Sequence, residues 1–321
     1  MAERLTKIFY ILSAGGTFFG ALAVGRSYMS GNKYTGTEEM YGKTVVITGA
    51  NRGIGKETAK NLAKRGARVI MACKDMEKCK EARNDIYNQT FNKNVECRLC
   101  DLASLESIKN FSDQIKKEEK FLHVLINNAG VMWCPKSLTK EGFERHLGVN
   151  YLGHFYLTHQ LLPKLIESSP SRVINISCKD HIKGKINFDD LNSSKNYDQE
   201  EAYNQSKLAN VMFSNELAER IKDYGVTVNC VDPGYSYTDL MRNSSVYKSP
   251  YSPVSFFFKM FLKTAEMAAQ SVIYTAVSPR YETETAKYIK DFQEIEPSEE
   301  ALNKQDSKRL WLISEKWTRL K

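Results

Sequence analysis

The run Thr48-Gly49-Ala50-Asn51-Arg52-Gly53-Ile54-Gly55 leaves the backbone few choices. It follows the β-branched run Thr44–Thr48 and leads into an amphipathic stretch, Lys56–Arg65. A strand, a glycine-rich turn and a helix N-terminus make an anion cradle, because free N–H groups and the helix dipole face the same point. Glycine is needed where the backbone takes positive φ or where a phosphate must come close. An ordinary βα turn can also be rich in glycine. Placement at the first βα junction favours a dinucleotide site.

Short β-branched runs then alternate with longer stretches of helical periodicity. Candidate strands are Thr44–Thr48, Arg68–Ala72, Asn94–Leu99, Val124–Asn127, Arg172–Ser177 and Thr227–Val231. Such alternation implies right-handed crossovers and an α/β fold: a doubly wound, Rossmann-type, mainly parallel sheet with helices on both faces. No internal boundary divides residues 42–321, which read as one domain. Hydrophobic residues make up 42% of the chain and charged residues 26%, enough for a core and incompatible with a disordered tail. The net charge of +8 is scattered among acidic residues, so no nucleic-acid partner is expected. Cys73, Cys79, Cys97, Cys100, Cys134, Cys178 and Cys230 follow no framework spacing and read as reduced thiols. Cys97 and Cys100 lack a second pair to complete a zinc site, so no metal is expected.

Residues 1–27 differ from the rest. Ile8 to Gly25 carries no charge, and as a helix it would cover roughly 27 Å, enough for a thin bilayer. A retained anchor, a signal peptide cleaved near Ala21-Leu22-Ala23 and a mitochondrial presequence are the alternatives; the all-round apolar character favours the anchor. Membrane association is therefore expected, at the mitochondrial inner membrane or the endoplasmic reticulum. The flanking charges leave the orientation open, and residues 28–41 read as a linker.

Tyr203 and Lys207 are four apart and share a helix face. A phenol titrates near 10, and a neighbouring ammonium together with a cationic nicotinamide ring should bring it toward working range. The second candidate strand ends Met71-Ala72-Cys73-Lys74-Asp75. Arg52 and Lys74 could both meet a 2′-phosphate, favouring NADP(H); Asp75 aimed at the ribose would instead favour NAD(H).

In chain order the motifs are Thr48-Gly49-x-x-x-Gly53-x-Gly55, Asp101-Leu102, Asn127-Asn128-Ala129-Gly130, Asn150-Tyr151-Leu152-Gly153, Tyr203-x-x-x-Lys207 and Pro233-Gly234. This series resembles the short-chain dehydrogenase/reductase family. Gly148–Phe155, Ser206–Val211 and Arg309–Ser314 look like its membrane-anchored retinol dehydrogenases. The resemblance implies hydride transfer between NADP(H) and a lipophilic carbonyl or alcohol of the retinal type. It implies Tyr203 as proton carrier, Lys207 on the nicotinamide ribose and Asn150 positioning a water. It also implies a cofactor site with Thr48, Asn51, Ile54, Asp101, Leu102, Asn128, Ala129, Gly130, Pro233, Gly234 and Thr238.

Two positions depart from that subgroup. Cys178, 25 residues before Tyr203, stands where a serine binds the substrate oxygen, and a thiol is the weaker donor. Ser177 beside it should point elsewhere. Tyr235-Ser236-Tyr237 replaces smaller aliphatic residues and would narrow the mouth of the site. With the serine absent, a catalytically weak cofactor-binding sensor or scaffold is the alternative. Residues 243–263, with the apolar run Phe256–Leu262, read as a substrate lid, a membrane contact or a core helix. Asn204-Gln205-Ser206 is formally a glycosylation sequon inside the Tyr203–Lys207 motif, which disfavours a glycosylating lumen.

Overall fold

The computed structural model describes residues 31–243 and 262–320, and of the N-terminal segment only Tyr10, Ser13, Gly16, Thr17, Gly20, Val24 and Gly25. The expected anchor as a span, and nearly all of the expected lid at 243–263, lie outside the described residues. Among the described residues, no helix is long and apolar enough to cross a membrane.

Six strands and their helices alternate as the β-branched runs predict: β1 (Thr44–Thr48), α1 (Gly53–Lys64), β2 (Arg68–Cys73), α2 (Met76–Thr90), β3 (Val95–Leu99), α3 (Leu105–Glu118), β4 (Val124–Asn127), α4 (Gly153–Glu167), β5 (Ser171–Ile176), α5 (Gln199–Arg220) and β6 (Val226–Asp232). After β6 come α6 (Ala265–Val277), β7 (Tyr288–Lys290), β8 (Gln293–Glu294), α7 (Glu299–Leu302) and α8 (Lys304–Trp317). The sheet order is β3-β2-β1-β4-β5-β6-β7-β8. All its pairings are parallel except the antiparallel β7–β8 pair. Strand order reverses between β1 and β4, and such switch points open a crevice at the carboxyl ends of the strands.

Buried strands alternate between two apolar layers. In β1, Val46 joins the layer containing Phe111, Phe155 and Leu208, whereas Val45 and Ile47 join the layer containing Leu62, Ile86 and Ile273. Period-two alternation on a sheet covered on both faces requires this division.

Two findings modify the sequence reading. Cys79 on α2 and Cys97 on β3 form a disulfide, with Cα atoms 5.9 Å apart, so these two are not reduced thiols. Their elements lie in one β2–α2–β3 crossover, where α2 packs against β3 and brings the two side chains face to face. Cys73, Cys100, Cys134, Cys178 and Cys230 form no disulfide. The second finding concerns residues 31–41, which have almost no regular structure yet are fastened to the domain. The Tyr34 N–H donates to Gln270 Oε1 at 3.0 Å, and its ring lies 5.1 Å from that of Tyr274. Arg65 donates to the carbonyls of Gly36 and Glu38 at 2.7 and 2.6 Å, and Met40 is buried.

Candidate active site

A cleft of about 330 Å³ opens at the carboxyl ends of β1, β4, β5 and β6. Its walls include Gly49, Asn51, Arg52, Gly53, Ile54 and Gly55 from the first turn and Lys74 after β2. Asp101 and Leu102 line it after β3, and Asn128, Ala129 and Gly130 after β4. Cys178, Tyr203, Lys207, Pro233, Gly234 and Thr238 complete the predicted set that reaches it. Thr48 and Asn150 do not line it.

The first turn suits a close-lying anion. Gly49 has φ +65°, and a Cβ there would sit 3.0 Å from the Ala129 backbone. At Gly55 a Cβ would come within 2.5 Å of the Gly49 carbonyl oxygen. The N-cap of α1, Arg52, makes no side-chain capping bond, so the first N–H groups of the helix stay available. A dinucleotide pyrophosphate fits this cradle.

Charges at the adenosine end are arranged unequally. Asp75 caps α2 by accepting from the Lys78 N–H at 3.2 Å and pairs with the Lys78 ammonium at 3.0 Å, which holds its carboxyl below the usual range. Its own helix therefore engages it. Lys74 is exposed and lines the cleft. Arg52 pairs with Asp239 across the cleft at 3.2 Å, a contact the sequence reading missed.

Helix α5 carries the reactive pair. Asp198 caps it, accepting from the N–H groups of Glu200 and Glu201 at 2.8 and 2.9 Å. One turn separates Tyr203 from Lys207, and the ammonium lies 5.7 Å from the phenol ring centroid. Lys207 Nζ donates to the Ile176 carbonyl at 3.2 Å, and burial lowers its pKa. The shift at Tyr203 runs opposite to the sequence expectation. Burial first, then Cys178 and the charges of Asp180 and Asp232, raise the phenol well above its ordinary value. Withdrawing a phenolate from water is costly, and that cost leads the shift.

Cys178, two residues beyond β5, has its sulfur 3.5 Å from the Tyr203 hydroxyl, while Ser177 turns away and donates to the Lys207 carbonyl at 2.8 Å. The thiol is pushed up to about 12, chiefly by desolvation, so it stays protonated at neutral pH. Its hydrogen goes to Asp180 Oδ2 at 3.6 Å, and Asp180 Oδ1 accepts from the Tyr235 hydroxyl at 2.8 Å. The sequence reading missed Asp180, although it stands only two residues beyond Cys178.

Behind the cleft, a π-helical segment, Leu147–Leu152, precedes α4 and contains Asn150. Such segments recur at functional sites. Asn150 is fully buried, and its amide is occupied: Oδ1 accepts from the Val131 N–H at 2.8 Å, and Nδ2 donates to the Val131 carbonyl at 3.0 Å and to Ser206 Oγ at 2.9 Å. Thr48 Oγ1 accepts the N–H groups of Asn128 and Ala129, both at 2.9 Å, and so ties β1 to the turn after β4. Asn204 of the sequon is buried.

A family model described as short chain dehydrogenase matches residues 43–248. The chain belongs to the short-chain dehydrogenase family. Among its relatives, retinol dehydrogenase 13 of Mus musculus is 44% identical over 313 residues, covering 97% of this chain and 94% of the relative. Human retinol dehydrogenase 11 is 45% identical over 289 residues, covering 90% of each chain. An uncharacterized protein from Mycobacterium paratuberculosis has a similar structure, with a TM-score of 0.73 and 34% identity over 90% of this chain and 98% of that one. RhlG of Pseudomonas aeruginosa, solved as an NADP active-site complex, has a TM-score of 0.64 and 25% identity, covering 78% of this chain and 95% of its own. As a short-chain dehydrogenase, the chain is an oxidoreductase related to retinol dehydrogenases, and its Tyr203 and Lys207 occupy one cleft with the glycine turn.

Proposed function

We propose that this short-chain dehydrogenase uses NADP(H) to interconvert a lipophilic aldehyde or ketone with its alcohol. The observation that carries the reading is the single cleft holding the glycine turn, Tyr203 and Lys207. Bound there, the nicotinamide supplies or accepts hydride. The Gly49–Gly55 turn and the uncapped start of α1 would hold the pyrophosphate, with Lys74 and Arg52 at the 2′-phosphate. Lys207 would fix the nicotinamide ribose. Tyr203 keeps its proton through burial and so stands ready to give it to a carbonyl oxygen. Val131, Trp133, Val149 and Leu240 supply an apolar lining for the substrate body.

Membrane attachment through residues 1–27 belongs to the same proposal and would keep the enzyme near lipophilic substrates. The inner mitochondrial membrane and the endoplasmic reticulum are the candidate locations.

NADPH oxidation by the purified protein across retinals, alkanals and steroids tests the activity. Tyr203→Phe should abolish turnover while NADPH stays bound. A second reading, a cofactor-binding sensor, draws on the Cys178 hydrogen being spent on Asp180 rather than offered to a substrate oxygen. NADPH binding with no turnover on any carbonyl would replace the enzyme with the sensor.

A further inference from the structure

A hydrogen-bond chain leads from the phenol to the mouth of the cleft. The Tyr203 hydroxyl lies 3.5 Å from Cys178 Sγ, Cys178 donates to Asp180 Oδ2 at 3.6 Å, and the Tyr235 hydroxyl donates to Asp180 Oδ1 at 2.8 Å. All four residues line the same cleft. Donor counting fixes the directions. A thiol has one hydrogen and an ionised carboxylate only accepts, so the Cys178 hydrogen points at Asp180 and the Tyr203 O–H faces the sulfur. To meet a substrate carbonyl oxygen the Tyr203 O–H turns away from the sulfur, and that oxygen then receives this one donor and none from Cys178. A carboxylate nearby also opposes negative charge building on that oxygen.

Asp180 is held in place. It lies on the 3₁₀ turn Lys179–Lys183, which His181 pins from behind. His181 Nδ1 donates to the Cys178 carbonyl at 2.8 Å, and Nε2 accepts from the Ser298 N–H at 3.1 Å. A carboxylate offers about four acceptor positions, and Cys178 and Tyr235 occupy two of them. Asp180 lines the cleft, so the other positions remain for a substrate donor.

We propose that Asp180 is a specificity-determining residue that selects substrates bearing a hydroxyl on the carbon next to the reacting carbonyl, with α-hydroxy ketones or aldehydes reduced to vicinal diols. One sulfur atom separates the reach of Tyr203 from that of Asp180, and neighbouring oxygens of one substrate span such a gap. The carbonyl oxygen takes the Tyr203 donor, and the adjacent hydroxyl donates to Asp180 in a charge-assisted bond, roughly twice as strong as a neutral one. In the reaction the carbonyl carbon takes hydride from NADPH, which becomes NADP⁺, and the carbonyl oxygen takes the Tyr203 proton. The neighbouring hydroxyl is unchanged. This inference rests on the oxidoreductase reading above and narrows its substrate class.

The test compares an α-hydroxy alkyl ketone with the same ketone lacking the hydroxyl, using the full-length protein in detergent. Wild type should favour the hydroxy ketone in kcat/KM by on the order of tenfold, the factor one charge-assisted bond supplies. Asp180→Asn, which keeps a neutral acceptor, should retain part of the preference, and Asp180→Ala should lose it. NADPH affinity serves as the folding control for both variants. Equal use of the two ketones by wild type, or a preference that survives Asp180→Ala, overturns the proposal. If neither ketone turns over, the matching diol and mono-alcohol are titrated into the NADP⁺-saturated protein. Equal affinities overturn the subsite, whereas tighter diol binding without turnover keeps the subsite and counts against reduction as its use.

Discussion

His154 shows how a single buried side chain joins the end of β1 to the start of α4. Its Nδ1 lies 2.9 Å from the Asn150 carbonyl, which can only accept, so Nδ1 carries the hydrogen. Its Nε2 lies 2.9 Å from Thr48 Oγ1, which already accepts two N–H groups and so donates its own hydrogen to the ring. Both nitrogens are committed to the neutral form, and burial lowers the pKa to about 4. The sign follows: a folded value below the unfolded one near 6.5 means that the unfolded chain binds the extra proton. Stability from this group is complete above about pH 6.5 and is lost as pH falls toward 4, by about 3 kcal/mol in all. His154→Gln should flatten that part of the wild-type profile in urea melts at pH between about 4 and 7. Parallel profiles would show that His154 is not the titrating group. Tyr203 makes the complementary prediction for activity. Its proton is retained through burial, and the uncharged ring of NADPH does nothing to loosen it. Reductive kcat should stay flat from about pH 6 to 9, while alcohol oxidation should climb over the same range. A reductive rate that falls below pH 8 would remove Tyr203 as the donor. At this scale the pair Tyr203 and Lys207 is legible because four residues make one helical turn. The roles of His154 and Asp180 are not, since each depends on atoms brought in from other elements.

Elements explain which parts of the fold could be read. The spans of β1 and β4 agree with their β-branched runs to the residue, because strands buried on both faces leave a continuous apolar record. The strands β7 and β8 span three and two residues, and so short a run has no period to recognise. The bridge between Cys79 and Cys97 was equally invisible: 18 residues separate them, and only the packing of α2 on β3 brings them together. The junctions after β1 and β2 carry the cofactor prediction. Lys74→Glu should weaken NADPH by about 1.5–3 kcal/mol, the range of a hydrogen bond to a charged group, while leaving NADH nearly unchanged. Arg52→Ala should cost less, because Arg52 must first give up Asp239 to reach a phosphate. Fluorescence titration with both nucleotides decides. If neither substitution weakens NADPH relative to NADH, the preference for NADP(H) is wrong.

For the molecule as a whole, residues 31–41 belong with the folded domain rather than with a linker. Apolar character marks Ile8–Gly25 as an expected anchor, while polar residues around Gly31–Gly36 read as linker, and that composition does not record the docking seen in the fold. Tyr34 sits between α1 and α6, 5.1 Å from the Tyr274 ring with the Arg65 guanidinium 5.7 Å from its centroid, and Met40 fills the layer behind β1. Removing residues 1–27 should therefore detach the protein from membranes without harming the domain: carbonate extraction would leave the full chain in the pellet and release the shortened one. Removing residues 1–41 should also strip Met40 and Tyr34 from their pockets and leave Arg65 without the carbonyls of Gly36 and Glu38. Two partly or fully buried side chains at about 1.5–3 kcal/mol each make that loss several kcal/mol, and at about 2–4 °C per kcal/mol the melting temperature should fall by roughly 6–24 °C. Thermal melts of the two shortened proteins, with NADPH affinity measured beside them, give the comparison. Equal melting temperatures would mean that residues 31–41 are a passive tether after all, and extraction of the full chain by carbonate would mean that the apolar segment is not an integral anchor.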